Sequence, residues 1–281
     1  KLQNGNLLSL SQGPGNAGNI LLEGNTIAIG SNQVGIKSTI SSETLGSGRG
    51  GDITVRGLNG SSSRAGDVTI SGASSVTSTT SGEGRAGDID VMTERMALTD
   101  GGAMMTSSGA GGNAGNVTIA SLASPAQSVL IDGPDSGIFT DTQGTGAGGN
   151  ISIDAWQFAL SNQATLSAQT AGSGNAGNIT VMASSFSMSE RALISTGTDK
   201  GTTGHGGNIS VQADEVLLTD NARIATNTLG SRDAGAIAIT AQHRISLTDS
   251  RMNSSTFAFT GKPEGGQGGQ ITLHAPTIDI S

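Results

Sequence analysis

Glycine-rich strings with the spacing of a dinucleotide-binding loop, in which backbone amides approach a pyrophosphate, recur along the chain. Four of them span residues 13–18, 82–87, 144–149 and 172–177. A phosphate-binding copy must follow a strand and open a helix, whereas each string here precedes an apolar-polar-apolar run typical of a strand. Four copies in phase along one chain instead indicate a repeated turn whose glycines need positive φ. The sequence therefore predicts no nucleotide site.

Aspartates follow some of these glycines and could hold a cation. Asp52 and Asp88 share one phase of the pattern, so a calcium site is an alternative interpretation. The chain lacks the Gly-Gly-x-Gly-x-Asp repeat of calcium-binding solenoids. An arginine stands three residues before each of three aspartates, which favours charge compensation within a structural row. These arginines are Arg49, Arg64 and Arg85, ahead of Asp52, Asp67 and Asp88.

Other residues capable of catalysis are scattered. His205, His243 and His274 lie at different phases of the repeat, so they cannot stack into one cluster. There is no cysteine, which excludes disulfides and thiolate metal sites, and no nucleophile elbow with triad partners is evident. The net charge of −8, with 14 dispersed basic residues, argues against nucleic-acid binding. We predict no catalytic residue, cofactor or metal.

The elements that position these residues follow from an internal repeat. A glycine, a residue that is usually short and polar, and an apolar-x-apolar doublet recur ten times, and all twenty doublet positions are Ile, Leu or Val. Residues of this size, with Phe, make up only about a fifth of the chain, near the level of disordered proteins, so their strict placement decides the class. The doublets are 20/22, 53/55, 68/70, 89/91, 117/119, 151/153, 179/181, 209/211, 237/239 and 271/273.

Each repeat contains two further runs with a two-residue period. A second apolar doublet, such as Phe158/Leu160, follows the first, and a Ser/Thr-rich run such as the one from Leu166 comes third. We assign the doublet Val68/Ile70 to a second run. No segment has a sustained 3.6-residue apolar period, which argues against a helical solenoid.

Short strands of this kind cannot bury an apolar face alone, so successive repeats must stack. The one-directional recurrence favours parallel pairing with the next repeat, and parallel crossovers are almost always right-handed. We therefore predict an all-β fold, a right-handed parallel β-helix of about nine three-stranded coils of roughly 28–36 residues. Residues 1–281 are expected to form one continuous solenoid, part of a longer or end-to-end stacked array.

Stacking places equivalent residues in rows along the axis. The row after the anchor glycine is amide-rich, and such side chains can hydrogen-bond from coil to coil. Its members are Asn19, Asp52, Asp88, Asn116, Asn150, Asn178 and Asn208. A second row, four residues into the third run, is Thr44, Thr80, Thr142, Thr170, Thr198, Thr228 and Thr256. We predict that these threonines face the interior or a turn. If a bulge in every coil turned them outward, they would form a flat ice-binding array.

The repeat resembles the filamentous-haemagglutinin-like exoproteins of two-partner secretion systems, particularly the Gly-Asn-rich versions of cyanobacteria and other Gram-negative bacteria. The likeness rests on residues 148–153 with 160–166 and on 206–211 with 218–224, and it extends over nearly the whole chain. In that family the repeats form a long fibre, and an amino-terminal domain engages an outer-membrane transporter. The secretion motif Asn-Pro-Asn-Gly does not occur here.

The resemblance implies a non-catalytic shaft of an extracellular or cell-surface fibre or adhesin, with an outer-membrane transporter as a partner of the whole protein. No receptor can be named from the sequence. The sequence begins and ends at nearly the same phase of the repeat, which predicts self-association or continuation along the axis. The main alternative is a polysaccharide lyase or hydrolase built on a β-helix, and the second is ice binding.

Overall fold

The computed structural model describes residues 1–31, 33, 35–119, 125–199, 202–257 and 266–281. Across these ranges the chain is all-β: it forms 24 strands, β1 to β24 in chain order, and no helix. Strand pairing is parallel throughout, and each strand pairs with its counterparts one coil away. One sheet holds nine strands, one per coil. The fold is thus the predicted parallel β-solenoid of about nine coils.

The strands fall into three series that correspond to the three predicted runs. The first series is β3 (Ile20–Glu23), β6 (Ile53–Arg56), β9 (Ile89–Val91), β12 (Val117–Ile119), β15 (Ile151–Ser161), β17 (Ile179–Met188), β19 (Ile209–Leu218), β21 (Ile237–Leu247) and β23 (Ile271–His274). The second is β1 (Leu2–Gln3), β4 (Thr26–Gly30), β7 (Ala65–Ser71), β10 (Thr93–Thr99), β13 (Ala126–Asp132) and β24 (Thr277–Ile280). The third is β2 (Asn6–Ser11), β5 (Thr39–Thr44), β8 (Ser75–Thr80), β11 (Ala103–Ser108), β14 (Gly137–Phe139), β16 (Thr165–Thr170), β18 (Leu193–Thr198), β20 (Arg223–Thr228) and β22 (Arg251–Thr256).

In four coils the first and second runs join into one bent strand, namely β15, β17, β19 and β21. These strands pair with a first-run neighbour through their first half and with a second-run neighbour through their second half. Ala155, Ala183, Ala213 and Ala241 occupy equivalent positions between the two halves of these strands. Three of them are buried and Ala183 is partly buried.

The aliphatic doublets point inward and lie on one another. Ile179 pairs with Ile151 on one side and Ile209 on the other, and all three are buried. The assignment of Val68/Ile70 to a second run is confirmed, because β7 pairs with β4 and β10. Burial of one such side chain stabilises the fold by about 1.5–3 kcal/mol relative to its exposure. Summed over nearly every coil, this offsets the scarcity of large apolar residues.

Two phenylalanines pack in the core. Phe158 and Phe186 occupy equivalent positions of β15 and β17, and their rings stack with centroids 5.2 Å apart and an interplanar angle of 18°. Both are buried. Parallel in-register pairing brings equivalent positions of successive coils into contact, so an aromatic residue in one coil favours another at the same position of the next coil.

The turn after the second run uses left-handed backbone. Asn162, Asp220 and Asp249 have φ of 54°, 54° and 48°. Asn and Asp are the non-glycine residues that adopt this region most readily. The short polar residues in this turn therefore set the direction in which the chain enters the third run.

The glycines that precede the first run serve close packing, and the prediction that they need positive φ was wrong. None of the glycines in the four Gly-x-Gly-x-x-Gly strings has a left-handed φ. A Cβ on Gly177 would instead lie 1.8 Å from the carbonyl oxygen of Gly149 in the coil below. The glycine loops of successive coils stack backbone on backbone, and no side chain can be accommodated between them.

Candidate functional site

The row after the anchor glycine forms a continuous hydrogen-bond ladder on the surface. Each side chain accepts the backbone N–H of the equivalent residue one coil later, with N···O distances of 2.7–3.0 Å. The acceptors are Asn19, Asp52, Asp88, Asn116, Asn150, Asn178 and Asn208. The geometry needs one side-chain oxygen at a fixed distance from the backbone. Asn and Asp both supply such an oxygen, so either residue can occupy a position in this row.

A second ladder of the same kind lies three residues earlier. Asn16, Asn113 and Asn175 accept the backbone N–H of Arg49, Ala147 and His205 at 2.8–2.9 Å. Together the two ladders fasten the glycine-rich loops to one another. The loops have few apolar contacts of their own, so these hydrogen bonds hold the corner of the solenoid.

Two arginines lie beside the aspartates of the first ladder. Arg49 Nη2 is 2.8 Å from Asp52 Oδ1 and 3.7 Å from Asp88 Oδ2, so it bridges two coils. Arg85 pairs with Asp88. These side chains are partly exposed, and each pair is worth about 0–1 kcal/mol. Their role is to offset the repulsion of stacked carboxylates. The Oδ1 atoms of Asp52 and Asp88 each accept a backbone N–H of the next coil. In the alternative interpretation, the same carboxylates would bind calcium.

Arg64 departs from the predicted pattern. Asp67, which follows it, lies in the second-run strand β7 and forms its ion pair with Arg95 of the next coil at 2.6 Å. The hydrogen bond to Arg95 lowers the pKa of Asp67. Arg64 instead donates to the carbonyl oxygen of Pro125 at 3.5 Å. The pattern Arg-x-x-Asp occurs before a first-run strand and before a second-run strand. Only the strand pairing shows to which run each copy belongs.

The threonine row faces the interior. Thr44, Thr80, Thr142, Thr170, Thr198 and Thr228 are buried, and Thr256 in the last third-run strand is partly buried. Ser11 and Ser108 complete the row in register. Thr44 and Thr142 donate to backbone carbonyl oxygens of the loop five residues later, at 3.0 and 2.9 Å. The row that ice binding requires on the outer surface therefore faces the core.

A neighbouring hydroxyl row was missed from the sequence. Two residues before most members of this row lies a Ser or Thr that donates to the anchor-glycine carbonyl, as Thr196 does to Gly207 at 2.5 Å, whereas Ala168 occupies this position before Thr170. The other donors are Ser42, Ser78, Thr106, Thr140 and Thr226, with Ser254 in the last third-run strand. The signal was present as a Ser/Thr position within the third run, but the sequence alone does not show its partner.

Thr196 and Thr198 provide a matched test of these two rows, since both are buried and lie on one strand. Thr196→Val leaves the Gly207 carbonyl without its donor and is expected to cost about 1–3 kcal/mol of unfolding free energy. Thr198 Oγ1 has no hydrogen-bond partner in the described structure. Thr198→Val should therefore leave stability unchanged or raise it. Chemical denaturation of both variants measures the difference, and equal losses would contradict the assigned bonds.

Burial raises the pKa values of three carboxyl groups, those of Asp90, Asp141 and Asp154. Asp141 is desolvated, although the backbone N–H of Gln169 and the Ser167 hydroxyl hydrogen-bond to it and partly offset the rise. Burial likewise raises the pKa of Asp90, against an opposing hydrogen bond from Thr118. Asp90 lies in β9, whereas Asp141 follows β14. Neighbouring carboxylates add to the rise of both pKa values: Asp88 and Asp52 act on Asp90, and Asp199 acts on Asp141.

A raised pKa makes Asp141 a source of pH-dependent stability. The folded chain holds this proton more tightly than the unfolded chain, so stability falls as pH rises from the ordinary value of 3.8 through the folded pKa. Asp141→Asn keeps an oxygen for both hydrogen bonds and removes the charge. We expect the variant to be more stable at neutral pH and to lack this slope. Urea melts from pH 3 to pH 8 measure it; parallel curves for the two proteins would contradict the assignment.

The three histidines lie at separate places in the fold, as predicted from their different phases in the repeat. His205, His243 and His274 are exposed and lie in a loop, in β21 and in β23. Within the described ranges, no three His, Asp or Glu side chains are grouped so as to hold a metal ion. No helix in the same ranges is long and apolar enough to cross a membrane.

Comparison of the chain with known proteins identifies no relative. No protein-family model, curated protein or solved structure matches the chain. The resemblance to filamentous-haemagglutinin-like exoproteins therefore remains a prediction that rests on the repeat motifs alone. What can be stated from the structure is the class, a repetitive parallel β-solenoid held by polar ladders.

Proposed function

We propose that this chain is a non-catalytic structural shaft of an extracellular or cell-surface fibre or adhesin. One observation carries the proposal: three series of parallel strands and one continuous side-chain ladder run along the stack from coil to coil. Such a stack joins each coil to the next by hydrogen bonds parallel to the axis, so it is stiff along that direction. A stiff rod serves to span distance.

The same proposal assigns partners and location. Coils at the ends of the described stack expose apolar side chains from rows that are buried elsewhere, as with Ile278 and Ile280, which are 41% and 70% exposed. A further coil, from the same polypeptide or from a second copy, would cover them. A chain that sediments as a folded monomer at every concentration would contradict this. Secretion through an outer-membrane transporter of a Gram-negative bacterium, cyanobacteria included, follows from the family resemblance.

The polysaccharide-active enzyme stays the second candidate because two carboxylates share one groove. Asp154 and Asp214 both line a lateral groove of β15, β17, β19 and β21. Carboxylate pairs carry out glycoside hydrolysis when they flank the scissile bond. Here the two residues lie two coils apart along the axis, roughly 10 Å at ~4.8 Å per coil. That separation is longer than either usual geometry of such pairs.

Two measurements test the shaft proposal. Antibodies against the chain, used in negative-stain microscopy of the source cells, should label thin filaments of uniform width at the cell surface. The purified chain should release no reducing ends or unsaturated products from neutral or acidic polysaccharides. Label confined to the cell interior would overturn the proposal. So would product release that is lost in Asp154→Asn or Asp214→Asn.

A further inference from the structure

The lateral groove lies outside the ladders, at the bend between the first and second runs of four consecutive coils. Its volume is ≈ 300 Å³. One wall is a row in strict register, Asp154, Met182, Gln212 and Thr240. Ala155, Ala183 and Ala213 line the groove beside this row.

An exposed tryptophan stands in this groove. Trp156 is the one tryptophan of the chain, and 54% of its surface is exposed. The phenylalanines of the same bent strands, Phe158 and Phe186, are buried. A large aromatic side chain gains free energy when it leaves water, and its N–H remains available as a donor. Its position in a concave surface indicates a stacking platform for a ligand with both an apolar and a polar face.

The polar residues of the groove suit hydroxyl groups. Asp154, Gln212, Asp214 and Gln242 line it and supply carboxylate oxygens and amide groups, which together accept and donate hydrogen bonds. No Lys or Arg is among the residues that line the groove. Arg64 lies close enough to lower the pKa of Asp154, against the larger raising effect of burial. The groove is thus uncharged to acidic, which disfavours an anionic ligand.

The spacing of the groups identifies the class of ligand. Equivalent positions recur every ~4.8 Å along the axis, a distance close to the length of one pyranose ring in an extended polysaccharide. Side chains on successive coils can therefore each contact a successive sugar. The geometry points to a binding site for an extended neutral polysaccharide chain, laid along the axis with one sugar ring stacked on Trp156.

This inference does not depend on the shaft proposal, because either a fibre or an enzyme could carry such a site. Since the chain has a single tryptophan, its fluorescence reports on the groove alone. Purified chain is titrated with cellohexaose, xylohexaose, laminarihexaose and mannohexaose, and separately with polygalacturonate. We expect at least one neutral hexasaccharide to shift the emission and to protect Trp156 from acrylamide quenching, with no comparable effect of polygalacturonate.

Variants separate a site from a general effect. Gln212→Ala should weaken the fluorescence-detected affinity at least tenfold. Trp156→Ala, followed by calorimetry, should weaken it similarly or abolish binding. Leu130→Ala removes an exposed apolar side chain outside the groove and should leave affinity unchanged. Unchanged melting temperatures keep the comparison valid. No emission change with any neutral hexasaccharide at millimolar concentration, preferred binding of polygalacturonate, or unaltered affinity in Trp156→Ala would each overturn the proposal.

Discussion

Replacing Ile179 with aspartate is expected to remove at least about 4 kcal/mol of unfolding free energy. Ile179 is fully buried at the middle of the stack, between Ile151 and Ile209. The variant loses the burial of the isoleucine and places a carboxylate among apolar side chains with no partner. Because each coil contacts only its neighbours, the damage should begin locally and open the stack at that coil. Chemical denaturation followed by circular dichroism measures the loss.

Thr180 supplies the control for this substitution. It lies one residue further along, on the outer face, in register with Ser152 and Ser210. Thr180→Asp introduces the same carboxylate into an outward row that holds Asp90 three coils earlier, and it should cost no more than about 1 kcal/mol. Thr180→Ala should change stability by less than about 0.5 kcal/mol. Equal losses at positions 179 and 180 would show that the inward and outward assignments are mistaken.

Gly177→Ala is expected to have the second largest effect, about 3 kcal/mol or more. The added methyl group would lie 1.8 Å from the Gly149 carbonyl oxygen and 2.6 Å from its carbon. Both atoms belong to backbone, so no rotamer change can relieve the overlap, and the two loops must move apart. That movement would also stretch the ladder bond from Asn178 to Asn150, which is 2.9 Å long. The free energy of unfolding again gives the measure.

Gly109 is the matched position for this test. It lies in the same type of loop, its φ is not left-handed, and an added Cβ would meet its nearest neighbours at 3.6 Å, an ordinary contact. Gly109→Ala should therefore be neutral or slightly stabilising, since alanine restricts the unfolded chain. If both alanine variants melted alike, the stacking of glycine loops would not be what selects glycine here.

The architecture could be predicted from the sequence because the fold repeats one local rule. An apolar doublet such as Ile151/Ile153 fixes the buried face of a strand, and its recurrence at intervals of about one coil allows little besides stacking. The same reasoning predicted that the threonine row faces inward. In each case the position within the repeat was sufficient, since equivalent positions must meet in parallel register.

The features that could not be predicted from the sequence depend on contacts between different positions of the repeat. The pattern gave glycine at position 177 but not the reason for it, which lies in the distance to another backbone. It gave Arg64 the same surroundings as Arg49, although the two belong to different runs. The bond from Thr196 to Gly207 and the groove beside Trp156 both join residues from separate parts of the coil, so a position within the repeat does not identify its partner.

The ladder of Asn and Asp side chains has a direction. In each of its bonds the side chain belongs to the earlier coil and the backbone N–H to the later one. One face of any coil therefore offers oxygens and the opposite face offers amide hydrogens. For this ladder to continue from one rod into another, the oxygen face of the first must meet the amide face of the second. An assembly joined in this way has two different ends.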